Sequence, residues 1–304
     1  MTKNKSMIIC FLAPAVFFFV AVFLYPIVKT VVMSFYKVDG LTDAFAKWRF
    51  NGFANYVEVM KSPAFKSSMV NLVKIWIVGG AVVLGISLLF AAILTSGITG
   101  KSFYRAVIYL PNIINAVAMA SMWINFIFQR RFGLLHSFFD MLGLKNLAMI
   151  DYMNGSTKFW SLLAAFCFGS VGYYMLIFMS GIESIPGDLY EAATIDGANR
   201  VRQFFSITLQ LLQGVFKSCI TFWTVGTVGF FVWSRMWYNP GNPDQYTITP
   251  FVHMYQVTFG TGQVGVSERN AGVGAAIGML MTVIVLVVFF AVNKLFKHDR
   301  DLEF

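Results

Sequence analysis

Long apolar blocks separated by short polar connections set the pattern of this chain. Six mostly apolar stretches lie at about 7–35, 70–95, 105–128, 158–181, 210–232 and 272–293. A helix needs roughly 20 such residues to cross about 30 Å of hydrocarbon, and each stretch meets that need. Polar or Gly/Pro-containing connections follow each of them. The pattern predicts an all-α integral membrane protein: six transmembrane helices in a single domain over residues 1–304. Lys3 and Lys5 precede the first run as in a signal peptide, but the apolar core of such a peptide is about 7–15 residues long. This run continues past Tyr25, which predicts an uncleaved first span.

The fourth connection, 182–209, has clear helical punctuation. Ser184 is placed to cap a helix with Pro186 in its first turn. Asp188 and Glu191 fall near the helix start, where the macrodipole favours acids. Gly197 is placed to end the helix in a left-handed conformation, and Asn199 to cap a second helix with Phe204, Phe205 and Ile207 on its apolar side. The expected shape is helix, glycine turn, helix.

Within it, Glu191-Ala192-Ala193 is followed by three residues, Gly197, nine residues, then Ile207-Thr208-Leu209. This spacing resembles the EAA signature of ABC-importer permeases, with Gln210 where that signature has proline. Phe103-Tyr104-Arg105 leading to Leu110-Pro111, the Gly52-Phe53-Ala54-Asn55-Tyr56 segment with Pro63-Ala64-Phe65, and Phe132-Gly133-Leu134-Leu135 are similar to segments of the sugar-type members, those like the maltose and glycerol-phosphate permeases. The resemblance implies a type I ABC importer permease (MetI-like) fold with a cytosolic coupling helix in 182–209. It implies that Glu191, Ala192, Ala193, Asp196, Gly197 and Arg200 contact a separate ATPase. Small Ala192 and Ala193 let a partner backbone approach, Glu191 offers a carboxylate to a basic residue, and Arg200 or Arg202 offers the reverse. Without the motif, the same loop reads as an amphipathic hairpin held by lipid. The implied partners are a second homologous permease, two cytosolic ATPase subunits that bind ATP and Mg²⁺, and an extracellular or periplasmic substrate-binding protein. No cofactor is expected in this chain. The last outer segment departs from the family, with Tyr238-Asn239-Pro240 and Asn242-Pro243 where a Gly-Gly-Pro turn is usual.

Composition agrees with a membrane chain. It is 58% hydrophobic and 12% charged, with mean hydropathy +0.68, about half the charge fraction of soluble domains. The net charge of +9 comes from basic residues spread over every loop and both tails, with no stripe for nucleic acid. Such loops suit the anionic headgroups of a lipid bilayer. Basic counts alone do not orient the spans. With the EAA loop facing the cytosol, both termini are cytoplasmic and the chain is a multi-pass protein of the bacterial plasma (inner) membrane.

No Asp or Glu falls inside the six stretches, which argues against an ion-coupled carrier. Neutral polar and aromatic residues do occur there: Asn115, Trp123 and Asn125 in the third, Tyr173 and Tyr174 in the fourth, Trp223 and Thr227 in the fifth. Sugars need aromatic faces for C–H stacking and neutral groups for hydroxyls, so the set describes a substrate path. Helix–helix hydrogen bonds and interfacial aromatic belts account for any one of them alone.

Several motifs carry no chemistry. Gly100-Lys101-Ser102 spells the end of a phosphate loop, but Thr95 occupies the place of its first glycine and the segment joins two spans. The three cysteines share no short spacing, His136, His253 and His298 are isolated, and no nucleophile elbow occurs. No metal site and no catalytic residue are expected. Two rival readings remain, an ATP-independent channel or facilitator for small polar solutes and, more distantly, a membrane enzyme.

Overall fold

The computed structural model describes residues 5–39, 44–237, 245–260 and 269–296. Among the described residues, five helices are long and apolar enough to span a membrane: α1 (Met7–Met33), α3 (Pro63–Thr95), α7 (Gly155–Glu183), α10 (Gln213–Trp237) and α12 (Ala271–Leu295). The third apolar stretch forms a bent pair, α4 (Lys101–Ile113) and α5 (Ala116–Ile127), which meet at 95° and together have the length and composition of one further span. Shorter helices are α2 (Ala54–Lys61), α6 (Leu134–Met141), α8 (Gly187–Ile195), α9 (Arg200–Gln203) and α11 (Pro250–Phe259). Each expected stretch overlaps one of these helices or the bent pair, with ends that differ by up to seven residues.

Pro111 lies inside α4, which continues past it to Ile113. The break comes at Ile114, which is extended, and at Asn115, whose side-chain oxygen accepts from the Val117 amide at 2.8 Å. A new helix start, capped by asparagine, turns the chain more sharply than loss of one proline hydrogen bond.

Contacts group the chain into two compact units, Met1–Lys66 with His253–Val283, and Ser67–Val252 with Ile284–Phe304. In the first unit, the Gly-x-x-Asn-Tyr segment is structural. Asn55 is fully buried and donates to the carbonyls of Ser34 and Tyr36, each at 2.9 Å. Tyr56 donates to Ser34 Oγ at 2.7 Å. These bonds hold the chain leaving α1 as a two-residue antiparallel ladder, β1 (Tyr36–Lys37) with β2 (Arg49–Phe50), a small addition to the all-α expectation. Ser62 caps α3, accepting from the Phe65 amide at 3.3 Å, with Pro63 at the first helical position. His253 of α11 lies 3.4 Å from Ser62 Oγ, and burial pushes its pKa below the ordinary histidine value.

The second unit is built around α7, which packs on α3, α4 and α10. Its core runs from Ile75 through Phe178 and Met175 to Trp223 and Trp237. Glycines set the closest approaches. A Cβ on Gly172 would lie 2.5 Å from the Ile108 carbonyl oxygen, so α7 and α4 touch backbone to backbone. Gly80 lets Trp223 lie against α3, where its indole donates to the Trp76 carbonyl at 2.9 Å. Of the departures noted in the last outer segment, Tyr238 to Pro243 lies outside the described residues.

Candidate functional site: the 182–209 loop and the polar face of the spans

The loop after α7 forms two helices joined by a glycine. Ser184 does not start the first of them. Its hydroxyl donates back to the Gly181 carbonyl at 2.7 Å, closing α7. Ile185 precedes proline and Pro186 is extended, so α8 begins at Gly187. Asp188 lies in the first turn, where the dipole favours it, whereas Glu191 is a full turn further on. At the other end Gly197 adopts φ +78°. The Ala198 amide donates to the Ala193 carbonyl at 2.8 Å and the Gly197 amide to Thr194 at 3.0 Å, the paired bonds of a Schellman stop. Asn199 then caps α9 by accepting from the Arg202 amide at 2.8 Å.

Side chains fix this unit to the following helix. Tyr190 and Thr208 share a 2.8 Å hydroxyl hydrogen bond. Gln203 Nε2 donates to Thr194 Oγ1 at 2.9 Å and to the Ala198 carbonyl at 3.0 Å. Lys101, the first residue of α4, pairs with Glu183 at the end of α7. Tyr190, Gln203 and Thr208 were not singled out from sequence, because polar residues in a polar loop carry no sign of their partner.

With its inner side so anchored, the unit presents Glu191, Ala192, Asp196, Gly197 and Arg200 outward, and Ala193 half-buried. Ile195 is 87% exposed, and Val201 and Phe205 are exposed too. Exposed apolar side chains beside both signs of charge give this hairpin the composition of a surface that a protein partner can cover.

The candidate path residues have divergent surroundings. Asn115 is spent capping α5, and Asn125 donates to the Ser121 carbonyl of its own helix at 2.9 Å. Tyr174 and Trp223 lie in the core with rings 5.8 Å apart, Trp223 only 3% exposed. Trp123 packs between Phe128 and Phe168. Its indole nitrogen and the Thr227 hydroxyl are buried with no hydrogen-bond partner among the described residues. Tyr173 opens onto a cleft that it shares with Tyr109 and Ser180. Among the described residues, no three His, Cys, Asp or Glu side chains gather to hold a metal ion.

Residues 81–299 match the family model of the binding-protein-dependent transport system inner membrane component. The chain is 26% identical over 302 residues to the probable ABC transporter permease protein YurN of Bacillus subtilis, covering 98% of this chain and 99% of that one. It is 27% identical to the arabinooligosaccharides transport system permease protein AraP of Halalkalibacterium halodurans, covering 91% and 83%. The fold is shared with a bacterial ABC transporter involved in the import of the acidic polysaccharide alginate, with TM-score 0.81, 17% identity and coverage of 98% and 97%. A second structure, of a bacterial alginate ABC transporter in complex with an alginate pentasaccharide-bound periplasmic protein, matches with TM-score 0.80 and 16% identity, covering 96% and 94%.

Proposed function

The chain belongs to the family of binding-protein-dependent transport system inner membrane components, and from that premise we propose that it forms half of the path by which an ATP-driven importer takes up a carbohydrate. It is a multi-pass, non-catalytic permease subunit. Two cytosolic ATPase subunits hold ATP and Mg²⁺, a second homologous permease completes the path, and an external binding protein delivers the substrate. The alginate transporter bound to its loaded periplasmic protein supports such a delivery partner.

The observation that carries the reading is the exposed helix–glycine–helix unit between α7 and α10. When the ATPases close on ATP, they pull on Glu191, Ala192, Ala193, Asp196, Gly197 and Arg200. The Tyr190–Thr208 and Gln203–Thr194 bonds pass that motion to α7 and α10. The spans then tilt from inward- to outward-facing. On this reading the loop and both termini are cytoplasmic. Single cysteines at Met149 and Asp196, labelled from opposite sides of the membrane, check that orientation.

The carbohydrate class is supported by relatives such as the arabinooligosaccharide permease. An oligosaccharide without strong charge suits this chain, because the cleft below Tyr173 has aromatic rings and hydroxyls and no charged lining. Asn115, Trp123, Asn125, Tyr173, Tyr174, Trp223 and Thr227 remain the proposed path set, with Tyr173 in contact and the buried members shaping the wall.

The coupling role is tested with Glu191→Ala and Gly197→Val. Valine at φ +78° is strained by about 1–2 kcal/mol and breaks the stop that orients α8. Both variants should lose ATPase co-purification and stimulated hydrolysis. Parental behaviour in both would remove the loop from the coupling path.

A further inference from the structure

α4, α7 and the start of α10 leave an open cleft of about 620 Å³. Two phenol rings, Tyr109 and Tyr173, and three hydroxyls, Ser180, Ser184 and Ser218, line it, and no charged residue does. Tyr173, Ser180 and Ser184 share one face of α7 and its extension, since steps of seven and eleven residues close whole turns. Ser184 and Ser218 donate to the carbonyls of Gly181 and Gly214 in their own helices, which leaves their oxygen lone pairs open to a ligand hydroxyl. All three serines are exposed. Hydroxyls in this position are poorly placed against hydrocarbon and well placed against water or a polar ligand.

The cleft has a direction. Tyr173 stands near the middle of α7, and Ser184 is the last residue before the loop that leads to α8. The eleven-residue step from one to the other rises about 16 Å, about half the thickness of the hydrocarbon core. Its lower rim is made by the start of α10, which approaches α7 at Gly181. A Cβ there would lie 2.6 Å from Val215 Cγ2.

We propose that this cleft is a second carbohydrate subsite, on the ATPase side of the path, which holds the sugar between the membrane midplane and release. The proposal rests on the import reading above and adds Tyr109, Ser180, Ser184 and Ser218 to the path. The tyrosine rings present faces to the C–H side of a sugar ring, and the serines accept from its hydroxyls. The volume falls within the range of small-molecule sites, about 300–1,000 Å³. The uncharged lining disfavours polyanions and cations. The open, shallow form makes binding weak, as release requires.

The test uses the whole complex in proteoliposomes, with maltotriose, arabinotriose and diacetylchitobiose as labelled probes. If the parental complex imports none of them, the carbohydrate reading fails, and this subsite with it. If the parent imports one, the double variant Ser180→Leu, Ser218→Leu should import roughly tenfold fewer sugars per ATP hydrolysed, since the loss of about 1.4 kcal/mol of binding is tenfold. An unchanged ratio overturns the subsite while leaving the importer intact, and points to a partner helix as the occupant of the cleft. A second measurement does not depend on transport by the double variant. Ser180→Cys and Ser218→Cys, each with Cys10, Cys167 and Cys219 replaced by alanine, should react with an impermeant thiosulfonate added on the ATPase side. The imported sugar should slow that reaction. No slowing at either position overturns the proposal.

Discussion

Replacing Gly172 by alanine adds one methyl where α7 meets α4. The new Cβ would lie 2.5 Å from the Ile108 carbonyl oxygen and 2.7 Å from the Tyr109 Cα, both backbone atoms that no rotamer change can move. Bringing the carbon–oxygen pair out to about 3.3 Å requires the two helices to part by about 0.8 Å. A gap of that size forfeits a quarter to a half of each dispersion contact along the seam. Overpacking of this kind costs about 1–3 kcal/mol, which lowers the thermal midpoint of the purified protein by about 2–12 °C at the sensitivity of soluble domains of similar size. Gly85→Ala is the matched control, because a Cβ there meets nothing within 4 Å. Its midpoint should stay level or rise, since alanine is the better helix former. If Gly172→Ala is as stable as the parent, or if Gly85→Ala loses as much, the close approach of α7 and α4 is not what holds this part of the molecule together.

Two further outcomes follow from single side chains. Asn71→Ala removes two hydrogen bonds, to the Gln245 carbonyl at 2.8 Å and the Ile248 carbonyl at 3.0 Å, and should cost about 1–3 kcal/mol by taking the donor from both carbonyls, read as a lower midpoint together with faster proteolysis at 245–249. Burial lowers the pKa of His253, so the unfolded chain takes up a proton at a higher pH than the folded one. The parent should therefore be fully stable above the unfolded pKa of about 6.5 and lose stability as pH falls through it towards the folded value. His253→Asn should flatten that part of the midpoint-against-pH curve, and an identical acid slope in parent and variant would assign the loss to other groups.

The elements that stood out from sequence are those whose signal is local. Twenty or more mostly apolar residues in a row read as a helix of spanning length whatever packs beside them, and five of the stretches fall on such helices with the third on the bent pair α4 and α5. Gly197 and Asn199 were legible as a stop and a cap because both motifs are closed by bonds within a few residues. The misreadings share another cause. Ser184 has the chemistry of an N-cap, but Pro186 keeps the chain extended, so the hydroxyl serves the helix behind it. Pro111 is the stronger helix breaker by composition, yet Asn115 makes the break because its side chain rewards a fresh helix start. Path residues were chosen by chemical type, and type does not show burial. Tyr173 and Tyr174 are neighbours of the same kind, but the first is 40% exposed and the second lies in the core. The serines at 180, 184 and 218 gave no signal alone, since only the packing of α4, α7 and α10 brings them to one cleft.

The central claim is that this subunit moves sugar only when ATP drives it through the 182–209 loop. The direct measurement is uptake of a labelled oligosaccharide into proteoliposomes holding the complete complex, with loaded binding protein outside and either ATP with Mg²⁺ or no nucleotide inside. Sugar should accumulate above the external concentration with ATP and not without it, and Gly197→Val should lose the ATP-dependent part. Equal flux with and without ATP, running only down the gradient, would contradict it and make the chain a facilitator.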